Sequence, residues 1–151
     1  MLRMAIREKI TGYDYVIIDT PPQMDGITFL AFVAADKIIV PADSDPRSKD
    51  GFADLVATVS SVKQCYNPDL TISGVLMTMT NPRTQADKIV IELFEDAAEQ
   101  AQTIVFNTKI RYRTVFHQCS LMHNNVFQFD KSSEGAKEYM AFVDEFLSIK
   151  K

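Results

Sequence analysis

Residues 13–23 read YDYVIIDTPPQ, and the fold class is decided there. Tyr15, Val16, Ile17 and Ile18 form an aromatic and β-branched run without a polar interruption, the pattern of a central strand covered on both faces. The run stops at Asp19. Thr20 follows, and Pro21 and Pro22 force an extended turn, because each proline restricts the residue before it. Open α/β sheets bind ligands at the carboxyl ends of their strands. A carboxylate followed by a hydroxyl at such an end suits a magnesium and phosphate post.

On the N-terminal side, Leu2, Ala5, Ile6 and Ile10 fall at helical spacing, and Thr11 and Gly12 end that stripe. On the other side, Asp25 and Gly26 open a covering helix over about 27–35. Residues 37–41 (KIIVP) read as the next buried strand, and residues 42–49 (ADSDPRSK) as a polar, turn-rich loop. Phe52, Leu55, Val56, Val59 and Val62 recur at three and four and predict an amphipathic helix over 51–65. A strand is expected over 70–79, with residues 80–84 (TNPRT) looping at its end. A helix over 85–100 follows, with Ile89, Val90, Leu93, Phe94 and Ala97 inward. Residues 103–110 suggest a further strand, 111–121 an irregular or weakly helical span, and 126–130 (VFQFD) a short β-prone piece. The last helix carries Ala136, Tyr139, Met140, Val143, Phe146 and Leu147 as its stripe, with Ser132 or Ser133 as cap and Glu134, Glu138 and Glu145 on its wet face. Alternating strands and helices specify an α/β fold with a mostly parallel sheet covered on both faces.

Length and composition set the limits. The 151 residues suffice for one domain and not for two. At 46% apolar residues, with five glycines and six prolines, disordered and collagen-like classes drop out. A formal net charge of -4 excludes a wholly basic nucleic-acid module but leaves room for a local basic patch. Cys65 and Cys119 lack CxxC spacing, so unlinked thiols in a reducing, cytoplasmic setting are expected. His117 and His123 have no partners at metal spacing. No apolar stretch approaches the roughly 18 residues that span a bilayer.

Three strand ends present polar groups: Asp19 and Thr20, the loop from Pro41 through Asp43 to Asp45, and Thr80 with Asn81. On one edge of a parallel sheet these loops would surround one nucleotide. Asp19 would hold magnesium directly or through water, and Asn81, which both donates and accepts, suits a purine edge. Strands also stop at Asp, Asn and Pro simply because those residues break strands. A rival reading makes Asp19 the phosphoacceptor of a response-regulator receiver, but no strand with an acidic pair precedes it.

Four segments, YDYVIIDTPPQ (13–23), AFVAADKIIVPAD (31–43), ISGVLMTMTNPRT (72–84) and VFQFDKSSEGAKEY (126–139), together resemble the C-terminal two-thirds of a ParA-family (deviant Walker A) plasmid or chromosome partition ATPase. The resemblance implies a P-loop NTPase-like fold of the SIMIBI/ParA type, in which Asp19 contacts magnesium through water in the Walker B and switch II region. Thr20 and Pro21 lie in that region. Asn81 stands at the adenine-recognising position, and Pro41 and Asp43 lie near the nucleotide or the facing subunit. It further implies Mg-ATP-driven homodimers, non-specific DNA binding, a ParB-like centromere-binding partner and nucleoid association. Lys109, Arg111 and Arg113 are the candidate DNA contacts.

Two departures qualify the likeness. No G-x-x-x-x-G-K-[ST] loop occurs in the 151 residues. The resemblance implies that the phosphate cradle and signature lysines sit in an N-terminal part on the order of 100 residues long. Met1 is then an internal methionine of a longer protein or the start of a truncated gene, and without a cradle the chain alone is expected neither to bind ATP tightly nor to hydrolyse it. Residues 109–120 (KIRYRTVFHQCS) also lack the family's proline after the isoleucine and its acidic-small pair at Gln118 and Cys119. Two alternatives stand beside the ATPase reading: a non-enzymatic regulatory partner of a full-length ParA-like protein, and a MinD-like positioning ATPase whose last helix, with Phe142, Phe146, Leu147 and Ile149, lies on lipid. The family reading expects no membrane contact.

Overall fold

The computed structural model describes residues 2–149, which fall into two compact units, 2–38 with 52–72 and 39–51 with 73–149. The elements in order are α1 (Leu2–Lys9), α2 (Gly26–Ala34), β1 (Lys37–Ala42), α3 (Ser48–Cys65), β2 (Thr71–Met77), α4 (Gln85–Gln100), α5 (Thr114–Leu121), α6 (Val126–Asp130) and α7 (Glu134–Ile149). β1 and β2 pair in parallel, with Thr71 N donating to Asp36 O (3.1 Å) and Thr78 N to Ala42 O (2.7 Å). The α/β class with a parallel sheet flanked by helices is thus present.

In the first unit, Phe32, Val59, Val62 and Leu70 form a core against which Phe29, Leu55, Ile38 and Ile72 pack. The 3–4 spacing read in α3 is what delivers Val59 and Val62 to it. Asp25 caps α2, its Oδ1 accepting from Ile27 N (2.9 Å) and Thr28 N (3.1 Å). At the other end of α2, buried Asn67 donates Nδ2 to the carbonyls of Phe32 (3.0 Å) and Ala35 (2.6 Å), satisfying groups the helix cannot pair internally.

The expected central strand does not form. No strand is assigned over 13–19, and Tyr15, Val16 and Ile17 are exposed, Ile17 at 91%. A β-branched run becomes a strand only when neighbours take its hydrogen bonds and cover its side chains, and the ladder among the described residues comprises β1 and β2 alone.

In the second unit, Leu76, Phe106 and Ile110 build a core with Phe116, Tyr139, Phe142 and Phe146 around it. Phe106 is fully buried, edge-on to Phe142 at 5.0 Å. It lies so close over Gly74 that an added Cβ would meet the ring at 2.7 Å. The strand expected over 103–110 is reduced to one parallel bridge, Val75 to Val105, with a second just beyond it from Thr80 to Arg111. The interruption has a cause in the last helix: Glu145 takes the backbone N–H groups of Asn107 (2.6 Å) and Thr108 (2.8 Å), the second of which has the parity of the Phe106 and Ile110 N–H groups that donate to β2. Burial raises the Glu145 carboxyl pKa, but the Asn107 and Thr108 hydrogen bonds outweigh it and leave it lowered. Glu145 is therefore no wet-face residue.

The β-prone reading of 126–130 is also corrected. Asn125 and Gln128 form a reciprocal capping box, with Gln128 N donating to Asn125 Oδ1 (2.9 Å) and Asn125 N to Gln128 Oε1 (3.3 Å), and the segment is helical. Ser133 rather than Ser132 caps the last helix, accepting from Ala136 N (3.2 Å). On α7, Phe142 and Phe146 pack inward while Met140, Val143, Leu147 and Ile149 are exposed.

Candidate functional site

The candidate residues divide between the units. Asp19, Thr20 and Pro21 belong to the first, and Pro41, Asp43 and Asn81 to the second. In the first unit, Asp19 is exposed and Thr20 half-buried. The turn after them is pinned by the buried Thr28 hydroxyl, which donates to Gln23 O (2.8 Å) and, at longer range, Pro21 O (3.5 Å). Among the described residues no three His, Cys, Asp or Glu side chains cluster at metal-binding distance. Magnesium is commonly held by one or two carboxylates with substrate phosphates completing the octahedron. One exposed carboxylate therefore fits as a post for an ion that arrives with a polyphosphate.

The second unit carries the more organised geometry. β1 ends at Ala42, and the loop beyond it is knitted by its own acids: Asp43 accepts from the Ser48 hydroxyl and from Asp45 N (3.3 Å), and Asp45 accepts from Arg47 N (2.8 Å). An ion pair with the Arg47 guanidinium (2.6 Å) completes it. The side-chain hydrogen bond from Arg47 is the main cause of an Asp45 pKa lowered to about 2. Pro41 sits within β1 itself, exposed.

Beyond β2, Met79 adopts a left-handed backbone (φ 53), a conformation uncommon for a residue with a side chain and concentrated at functional turns. Thr80 is buried, donating N–H to Ile110 O (3.1 Å) and accepting at its carbonyl from Tyr112 N (3.0 Å). Asn81 emerges exposed, its Oδ1 accepting from Arg83 N (3.2 Å). Its own N–H goes to Asp87 Oδ2 at 2.5 Å. The same carboxylate accepts from the Thr84 hydroxyl (Oδ1, 2.7 Å) and from the Ser44 hydroxyl (Oδ2, 2.9 Å). The Asn81 backbone hydrogen bond leads the causes that lower the Asp87 pKa, followed by Thr84 and, more weakly, Ser44.

The loops after β1 and β2 therefore meet through one side chain that sequence reasoning passed over. The signal was present in Thr84 followed three residues later by an acid, the spacing of an N-terminal cap. Thr84 does cap α4 through Asp87 N (3.3 Å).

Of the basic trio, Arg111 and Arg113 are brought together on Glu138 and Lys109 turns elsewhere. Arg113 Nη2 pairs with Glu138 Oε1 at 2.6 Å, Arg111 Nε lies 3.6 Å from the same oxygen, and Arg111 N donates to Glu138 Oε2 (3.1 Å). Glu138, read as a wet-face residue, is instead the counter-charge of the cluster. Lys109 is half-buried, its ammonium donating to Phe106 O, and burial pushes its pKa down against the opposing pull of Glu95 and Glu145. Arg111 keeps a side chain that is 56% exposed, against 25% for Arg113. Cys119 is buried among Val126 and Ala136, and Cys65 is an exposed thiol.

A parallel sheet flanked by helices, with polar loops beyond its strands, defines an α/β nucleotide-binding type of architecture. Comparison with known proteins narrows it. A family profile described as an AAA domain matches residues 1–72. The chain is 30% identical over 146 residues to the chromosome partitioning protein ParA of Myxococcus xanthus, covering 97% of this chain and 50% of that protein. It is 29% identical over 144 residues to the sporulation initiation inhibitor protein Soj of Bacillus subtilis, covering 95% and 56%. Among solved structures, cobyrinic acid a,c-diamide synthase from Mycobacterium smegmatis superposes with a TM-score of 0.78 at 28% identity over 99% of this chain and 53% of that one. Its form with bound ADP and magnesium superposes at 0.74. The chain is a relative of the ParA-family partition ATPases, as the four sequence segments implied, and it spans about half the length of the curated relatives it matches.

Proposed function

We propose that these residues form part of an ATP-dependent DNA partition protein, in which Mg-ATP drives homodimerisation and non-specific DNA binding. The observation that carries the reading is the tie between the strand-end loops bearing Asp43 and Asn81, where this fold class receives a nucleotide. Asp19 holds the water shell of the magnesium, and Thr20 and Pro21 shape the turn beside it. Asn81 reads the adenine edge with its exposed carboxamide, and Pro41 and Asp43 border the nucleotide or the facing subunit. The ion, when bound, neutralises charge on the phosphates. Phosphate cradling belongs to a P-loop lysine that the 151 residues do not contain. A ParB-like partner prompts turnover, and release from DNA follows.

For DNA, Arg111 makes the leading contact, and Lys109 and Arg113 set the local potential. Phosphates compete with Glu138 for both guanidiniums, so binding is salt-sensitive. In a protein carrying these residues together with a P-loop, Asp19→Ala is expected to abolish magnesium-dependent ATP hydrolysis with the fold kept. Arg111→Ala with Arg113→Ala is expected to weaken duplex binding and flatten its salt dependence. Retained turnover removes Asp19 from the site, and unchanged binding assigns the arginines to the Glu138 ion pair alone.

A second reading is favoured by the exposed run at Tyr15, Val16 and Ile17: a non-enzymatic partner that pairs through this run with a P-loop-bearing ParA-family chain. Co-purification with such a chain, lost on Ile17→Asp, distinguishes it.

A further inference from the structure

We propose that Asp87 is a positioning residue that locks the loop after β2 to the loop after β1 and so holds Asn81 in a single orientation for a purine base. The base-facing part rests on the nucleotide reading above; the locking does not. Three donors from two loops converge on one carboxylate: Asn81 N at 2.5 Å, Thr84 Oγ1 at 2.7 Å and Ser44 Oγ at 2.9 Å. Two of them share Oδ2. Ser44 stands 43 positions from Asp87 in sequence, so this bond is tertiary and not part of the α4 cap.

The arrangement answers a specific problem. The left-handed Met79 redirects the chain after β2. Asn81, two residues on, is exposed. A charged acceptor is the strongest available hold on its backbone N–H, since hydrogen bonds to an ionised partner are roughly twice as strong as neutral ones. With the amide fixed, Asn81 Oδ1 turns back to Arg83 N (3.2 Å), and the carboxamide plane is set. Adenine, which offers a donor beside an acceptor, is told from guanine only by a carboxamide whose orientation is fixed. A cap at the start of α4 would need Thr84 alone; the bonds to Ser44 and Asn81 exceed that need.

The experiment uses the whole chain, isotope-labelled, with amide hydrogen exchange read residue by residue in the wild type, D87A, D87N and S44A. D87A is expected to speed exchange about tenfold at Asn81 and about threefold at Asp45 in the far loop, leaving Val90 and Phe94 inside α4 unchanged. D87N retains one acceptor oxygen without the charge and is expected to restore part of the protection lost in D87A. S44A, which leaves the α4 cap intact, is expected to speed Asn81 about two- to threefold. Faster exchange in the first turn of α4 with Asp45 unchanged in D87A, or Asn81 unchanged in S44A, reduces Asp87 to a helix cap and overturns the lock. The S44A result stands even where D87A fails to fold.

Millimolar adenosine and guanosine, which need no phosphate cradle, are then titrated into the same samples. Preferential adenosine shifts at Asn81 in the wild type, lost in D87A and regained in D87N, support the base-facing role. Equal preference in D87A overturns that role, and no adenosine shift in the wild type overturns the purine reading of Asn81 itself while leaving the exchange result to decide the lock.

Discussion

Residues 15–18 and residues 72–77 are built from the same material and meet opposite fates. Both are runs rich in β-branched and long aliphatic side chains, and both lead into a polar residue and a proline, at Asp19 to Pro21 and at Asn81 and Pro82. The second run is β2, with Val75 and Met77 fully buried, β1 along one edge and the 105 bridge along the other. The first forms no strand and leaves Ile17 at 91% exposure. Propensity is if anything higher in the first, since the second holds Ser73 and Gly74; what differs is that β2 is paired and covered. Strand character is a statement about fitting a covered, hydrogen-bonded surface more than about the backbone itself.

The largest expected effect tests the satisfied run. Phe106 lies over Gly74 and against Phe142 with no exposed surface. Phe106→Ala is expected to cost about 3–5 kcal/mol, the range for emptying a packed aromatic site. Urea unfolding followed by far-ultraviolet circular dichroism checks it. A loss under about 1 kcal/mol would mean that β2 does not depend on this cover, and the contrast with 15–18 would collapse.

A smaller effect tests the loop that β2 projects. The hydrogen bond from the Asn81 backbone, with those of Thr84 and Ser44, lowers the Asp87 carboxyl pKa in the folded chain. The group therefore binds its proton less readily folded than unfolded, and unfolding takes up protons as pH drops. Its contribution is complete above the unfolded value near 4 and is lost as pH falls through the lower folded value. Because Asp87 is partly exposed, solvent screening holds that contribution to about 1 kcal/mol. The urea midpoints of wild type and D87N should stand apart at neutral pH and converge as pH falls below the unfolded carboxylate value near 4. A gap that stays constant with pH would show that charge on Asp87 is immaterial.

How far the sequence could be read follows the same division. α3, β2 and α4 were legible because each is local: periodicity names the buried face, and Val59, Val62, Val90 and Phe94 are buried as expected. Asn81 and Asp43 were legible as strand-end residues. Asp87, Glu138 and Glu145 were not, since each acts on a partner at a sequence distance that no pattern encodes: 43 positions to Ser44, 25 to Arg113 and 38 to Asn107. An acid on a helix reads as solvated until its partner's loop is placed. The missed helix at 126–130 is different in kind, since its Asn125 and Gln128 capping pair was there to be seen.

The smallest expected effect sharpens the comparison most. Ile17→Ser in the 151-residue chain removes an aliphatic side chain that is already in water, so stability should change by less than about 0.5 kcal/mol. In β2 a comparable truncation of buried Val75 removes packed methyl groups and should cost about 2 kcal/mol or more. Ile17→Ser should instead raise the concentration at which light scattering first appears, because an exposed β-branched run is a template for association. If a P-loop-bearing ParA-family chain is then added, the sign of the argument reverses. A run that is paired and covered in the complex makes Ile17 costly to lose, and its substitution should weaken association while leaving the isolated chain as stable as before. Equal tolerance of Ile17→Ser with and without that chain would mean the run is solvent-facing in both states, and that its resemblance to a central strand carries no structural weight here.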